Sequence, residues 1–172
     1  MSGLVVRPMR GADLDDADRI FRLAFGTFLR LPDPMTFAGD SDHVRERFRA
    51  SPTSAFVAER DGEVVGSNFA TRWGTAAFFG PLSVRPDLWG EKIAQRLMEP
   101  VVQCFEAWGT THAALFTFAD SAKHVGLYGK YGFHPRFLTA VMGRPVSTPI
   151  AAAPAAIGVD TGRPMTAVRK RG

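Results

Sequence analysis

The sequence predicts an α/β domain, a sheet of strands with helices laid against it, and three stretches carry that expectation. Asp61-Gly62 sits between two β-rich runs, Ala55 to Arg60 and Glu63 to Ala70. Asp-Gly between such runs is a strong hairpin signal, because glycine accepts a positive φ at little cost. Leu82 to Leu97 reads as a strand end, a proline-closed turn and the start of an amphipathic helix: Pro86 cannot continue a central strand. Beyond Gly90 the apolar residues Ile93, Ala94, Leu97, Met98, Val101, Val102, Phe105 and Trp108 recur at three- and four-residue spacing. The third stretch, Ala113 to Phe118, is mostly apolar and fits a buried parallel strand.

In chain order, Leu4 to Arg7 is a β-rich run closed by Pro8. Asp13 can cap the helix that follows, with Asp15 and Asp16 in its first turn. Leu14, Ala17, Ile20, Phe21, Ala24, Phe25 and Phe28 then mark one apolar face. Leu31-Pro32-Asp33-Pro34 must end that helix. Met35 to Asp42 reads as loop and Asp42 to Arg49 as a second short helix. The hairpin follows, its second strand extending to Arg72. Ala76 to Phe79 is a further strand, and Gly80-Pro81 interrupts it with a bulge or splay. Pro100 should bend the long helix without stopping it, and Gly109 should end it. Asp120 is a plausible cap for a helix through Tyr128 that ends near Gly132. Leu138 to Met142 is another strand candidate.

The 172 residues suit one domain with a real core. The formal charge is +4, but Arg163, Arg169, Lys170 and Arg171 against Asp160 supply +3 of it. The rest of the chain is nearly neutral, which argues against nucleic acid as a partner. Cys104 is the sole cysteine and lies within an apolar helix pattern, so it reads as a core residue and fits a reducing cytoplasm. No run is long and apolar enough to suggest a membrane span. His43, His112, His124 and His134 lack metal-ligand spacing. From Ser147 an Ala/Pro-rich, basic tail begins, dividing the chain into a domain at 1–146 and a tail at 147–172.

The start of the long helix leaves unpaired N–H groups at the positive end of the helix dipole, which suits a phosphate or pyrophosphate. An ordinary strand–helix connection would look the same. The order of residues adds to this. Val84-x-Pro86, then Trp89-Gly90-Glu91-Lys92-Ile93-Ala94 and Leu97, resembles the acyl-CoA-binding signature of the GNAT-type N-acetyltransferases. Leu127-Tyr128-Gly129-Lys130-Tyr131-Gly132-Phe133 resembles that family's second hallmark, and the likeness spans roughly Leu4 to Val146. Two positions depart from the pattern: Trp89 stands where the family prefers Gln or Arg, and Lys92 where it prefers Gly.

The resemblance implies a mixed, mostly antiparallel sheet flanked by helices and splayed where acetyl-CoA enters as cosubstrate. It implies cofactor contacts from Leu82, Ser83, Val84, Trp89, Gly90, Glu91, Lys92, Ile93, Ala94, Gln95 and Ser121, the last replacing a usual Asn. It implies that Tyr128 protonates the leaving thiolate, that a small amine is the acceptor, and that the Met35 to Asp42 loop borders the acceptor pocket. His124 lies four residues before Tyr128 on the same helix face; a surface histidine is the simpler reading. No Asp or Glu occurs between Val64 and Pro86, so a base must come from Glu59, Asp120, a histidine or water, or an amine of low pKa must dispense with one. The competing expectation is an acyl-CoA-binding regulatory or assembly module without turnover. A homodimer is compatible with either.

Overall fold

The computed structural model describes residues 3–136. The Leu138 to Met142 strand candidate, the 147–172 tail and the domain edge at 146 lie outside the described residues. Among those described, six strands form one sheet: β1 (Val5–Pro8), β2 (Ala55–Arg60), β3 (Glu63–Trp73), β4 (Ala76–Phe79), β5 (Ser83–Val84) and β6 (His112–Ala114). The path runs β1-β2-β3-β4-β6, with β5 also paired to β3. Every pairing is antiparallel except β4 with β6. This is the mixed, mostly antiparallel sheet that the family resemblance implies. Helices α1 (Leu14–Phe28), α2 (His43–Ala50), α3 (Ile93–Ala107) and α4 (Ala122–Gly129) pack against it. None of the described helices is long and apolar enough to cross a membrane.

Strand β3 is the spine. Its side chains are buried from Val64 to Thr71, and alternation, reset by a bulge opposite Ala58 and Glu59, sends them into two apolar clusters. Val64 and Phe69 join Val57, Ile20, Phe21 and Val44 under α1 and α2. Val65 and Ala70 join Phe79, Leu97, Met98, Val101, Phe105 and Tyr128 under α3 and α4. Gly66 allows the second cluster to close: a Cβ there would stand 2.7 Å from the Ser83 carbonyl oxygen and 3.1 Å from Leu97.

The bulge foreseen at Gly80-Pro81 is visible in the register. Phe79 faces Ala70 and Ser83 faces Ser67, so Gly80, Pro81 and Leu82 stand against only Asn68 and Phe69. Asn68 fills the irregularity from within. Its side chain is fully buried, donates to the Leu97 carbonyl at 3.2 Å and accepts from the Phe69 N–H at 3.0 Å. Strand β6 follows β4 only as far as Phe78↔Ala114. Beyond that point β4 gives way to the bulge, so the ladder has no straight partner to follow.

Several local expectations need correction. Leu115 to Phe118 is not strand, and β6 is a three-residue, largely exposed strand rather than a buried one. Asp13 makes no side-chain cap on α1. Its carboxylate is taken by the Arg7 guanidinium and the Arg10 N–H at the preceding turn. Ser121, not Asp120, is the N-cap of α4. Pro100 lies inside α3, which runs on to Ala107 and is followed by Gly109 at a φ of 62°.

Candidate active site

Where β4 and β6 part company from β5, a cleft of about 740 Å³ opens between the strand ends, α3 and α4. Its floor is strand backbone. Arg85 donates its N–H to the Val65 carbonyl, which fixes the alternation along β5. Ser83 and Arg85 therefore turn their backbone groups toward β3, and Val84, opposite Gly66, turns its own toward the cleft. The Ser83 side chain points inward, its hydroxyl 3.2 Å from that of Ser67.

One wall is the start of α3. The first helical hydrogen bond of that element is Arg96 N–H to the Lys92 carbonyl at 3.2 Å. The N–H groups of Gly90, Lys92, Ile93, Ala94 and Gln95 have no acceptor among the described residues, and no side chain caps them. Lys92 holds the turn at a φ of 63°, the left-handed region that glycine occupies freely and lysine does not. These amides lie at the positive end of a helix of fifteen residues, an arrangement that can accept an anion. The Tyr131 hydroxyl donates to the Gln95 carbonyl at 2.7 Å and ties this wall to the turn after α4.

The other wall is α4. Tyr128 is 9% exposed, edge-on to Phe79 with ring centroids 5.4 Å apart. Burial pushes its phenol up to about 12, partly offset by the Thr117 hydroxyl, so it is protonated at neutral pH and can donate. His124 lies one turn earlier. Its ring meets Phe28 edge-on at 4.9 Å, and its Nδ1 is buried without a hydrogen-bond partner among the described residues. Burial, with Lys123 adding, lowers its pKa, so the ring is neutral at physiological pH.

Leu82, Ser83, Val84, Trp89, Gly90, Lys92, Ile93, Ala94, Gln95, Ser121 and Tyr128, scattered over 47 positions of the sequence, all line this one cleft. Glu91 does not. Its carboxylate is 2.6 Å from Arg60 on β2 and its N–H goes to the Leu88 carbonyl. Ser121 Oγ is engaged, at 3.5 Å, with the His124 N–H as the cap of α4. Trp89 turns its indole N–H onto the Val84 carbonyl at 2.8 Å, and Lys123 Nζ sits 5.4 Å from the centre of its ring. Of the residues left open as a base, His124 alone reaches the cleft; Glu59 is paired with Arg7.

Sequence reasoning missed part of the lining. Leu115, Thr117 and Phe118 reach the cleft because their stretch leaves the sheet, and Phe25 and Phe28 reach it from the end of α1. The signal was present in Gly80-Pro81: a break in one strand of a parallel pair deprives the other of its partner.

Comparison with known proteins places the family and the fold. Residues 18–133 match the family model described as acetyltransferase (GNAT) family. No curated protein matches the sequence. Among solved structures, a GNAT family acetyltransferase from Brucella melitensis in complex with acetyl-CoA is 22% identical, with a TM-score of 0.57 over 77% of this chain and 83% of that one. The ribosomal-protein-S18-alanine N-acetyltransferase from Escherichia coli is 18% identical, with a TM-score of 0.63 over 78% and 79%. A longer acetyltransferase-like chain from Pyrococcus horikoshii is 19% identical with a TM-score of 0.61; the match covers 78% of this chain but only 44% of that one.

Proposed function

The chain belongs to the acetyltransferase (GNAT) family, and from that premise we propose that it moves an acetyl group from acetyl-CoA to an amine within the cleft between β5, α3 and α4. One observation carries the reading: five unpaired amides at the start of α3, the outward backbone of Val84 and the Tyr128 phenol line a single cavity. The amides of Gly90, Lys92, Ile93, Ala94 and Gln95 accept the pyrophosphate, with Lys92 adding charge where the backbone approach is less close than a glycine would allow. The pantetheine amides pair with the open side of Val84, taking the place of the Trp89 indole N–H on its carbonyl.

The amine nitrogen attacks the thioester carbonyl carbon. A carbon–nitrogen bond forms, the carbon–sulfur bond breaks, and the electron pair leaves on sulfur. Tyr128 donates its proton to that sulfur. A phenol held at about 12 is protonated throughout the physiological range, as this role requires. The buried site suits such a donor, because hydrogen bonds gain strength where water is excluded.

Two measurements test the reading. Calorimetric titration should give saturable acetyl-CoA binding, weakened in a Lys92→Ala variant. Thiol release with an amine should fall in Tyr128→Phe while acetyl-CoA binding is retained. Folded protein that binds no acetyl-CoA would overturn the proposal. Binding without acetyl transfer to any amine would instead favour a non-catalytic acyl-CoA-binding module.

A further inference from the structure

The lining of the cleft is lopsided in a way that bears on its acceptor. Among the described residues no Asp or Glu lines it, whereas Lys92, Lys123 and Lys130 do. Where the end of α1 meets the stretch before α4, the lining is aromatic. Phe28 and Phe118 meet with ring centroids at 4.7 Å, Phe25 and Phe118 at 6.3 Å, and Phe28 closes on His124. These contacts join the end of α1 to the start of α4 across the opening. A cationic amine entering here meets no carboxylate, and the one base in reach among the described residues is the neutral His124 imidazole, set edge-on against Phe28.

Resting on the proposed acetyl transfer, we infer that the acceptor is a weakly basic aromatic amine, one that arrives uncharged and seats its ring among Phe25, Phe28 and Phe118. The chemistry closes without an external base. An uncharged arylamine and a thioester give an amide and a thiol, so the net change is one proton moved from nitrogen to sulfur. The nitrogen of the tetrahedral intermediate, once bonded to the carbonyl carbon, is a strong acid when its substituent is an aryl ring. It loses its proton to water or to the phenolate left when Tyr128 has protonated the sulfur. An alkylammonium ion must first shed a proton, and for that step the cleft offers no carboxylate and only the half-buried His124 imidazole, a weaker base than the amine it would deprotonate. Aromatic side chains favour offset and edge-on contacts with a further ring, which gives such a substrate orientation as well as burial.

The test compares three amines at fixed acetyl-CoA with the full chain, after calorimetry has established acetyl-CoA binding. They are 4-methylaniline, benzylamine, which keeps the ring but carries charge, and spermidine, which is polycationic and has no ring. The expected kcat/KM for 4-methylaniline exceeds that for spermidine at least tenfold, with benzylamine between them. Phe28→Leu and Phe28→Ala should raise KM for 4-methylaniline in that order and leave the acetyl-CoA Kd unchanged. Spermidine equalling or exceeding 4-methylaniline would overturn the inference while leaving acetyl transfer intact. Acetyl-CoA binding with no turnover of 4-methylaniline would also overturn it. Failure to bind acetyl-CoA at all would remove both this inference and the reading beneath it.

Discussion

The two sides of β3 are built to different ends. Toward α1 and α2 the structure closes on itself: Ala17, Ile20, Val44 and Val57 have no accessible surface, and Phe69 has almost none. Arg7 binds both Asp13 and Glu59, and Arg22 reaches three loop carbonyls, those of Phe37, Gly39 and Ser41. Toward α3 and α4 the same sheet loses register, opens a cleft and leaves backbone amides and an imidazole nitrogen without partners among the described residues. One side holds the fold together, and most of its buried polar groups are spent in doing so, Asp18 Oδ1 excepted. The other keeps polar groups available, at a cost in local stability, for something that is not part of the chain.

Mutations should separate the two sides. The largest effect is expected from Phe69→Ala, which empties a buried ring site between strand and helices and should cost about 3–5 kcal/mol. Denaturant unfolding measures it, and a loss under 1 kcal/mol would mean that this side is less tightly packed than its burial implies. Tyr128→Phe should do the reverse. It keeps the ring against Phe79 and removes the hydroxyl proposed as proton donor, so kcat should fall about 100-fold while the melting temperature stays within about 2 °C. An equal loss in both variants of stability and of activity would erase the distinction.

How far this division was legible in the sequence depends on the kind of signal. The hairpin, the bulge and the α3 pattern are local: Asp61-Gly62, Gly80-Pro81 and the apolar spacing from Ile93 onward each state their geometry within a few residues. The sharing of one cleft by Val84, Trp89, Lys92 and Tyr128 came from the order of residues in two motifs, not from their physics. What stayed hidden depends on distant pairings. Nothing near Asn68 announces that its side chain will complete a bulge formed more than ten residues later. Nothing near Glu91 announces Arg60. Asp13 looked like a helix cap because caps are local, but Arg7 was close enough to claim it first.

Asp13 also supplies a pH test of the closed side. The Arg7 hydrogen bonds hold its carboxyl below the usual carboxylate range, despite burial acting the other way. A carboxylate whose folded pKa is depressed adds stability above its unfolded pKa, and that share is lost as pH falls through the folded value. Asp13→Asn should therefore cost about 2 kcal/mol near neutrality. The gap to the wild type should shrink as the pH is taken below the unfolded carboxylate value, near 3.8. A gap independent of pH would mean that the residue acts by packing alone. The smallest effect belongs to the open side. Lys92→Gly relieves the left-handed backbone and should raise stability by up to about 1 kcal/mol, while removing a charge beside the anion site should weaken acetyl-CoA binding. A gain in both would mean that backbone approach matters more here than charge.

Trp89 has a consequence outside catalysis. A strand that leaves one edge unpaired so that a ligand can add to it is equally a template for a strand of another molecule, and exposed edges of this kind seed aggregation. Strand β5 is only two residues long, and the single carbonyl that Val84 offers outward is covered by an indole N–H from its own chain. The chain thus carries its own edge guard: a side chain that satisfies the open strand through one hydrogen bond.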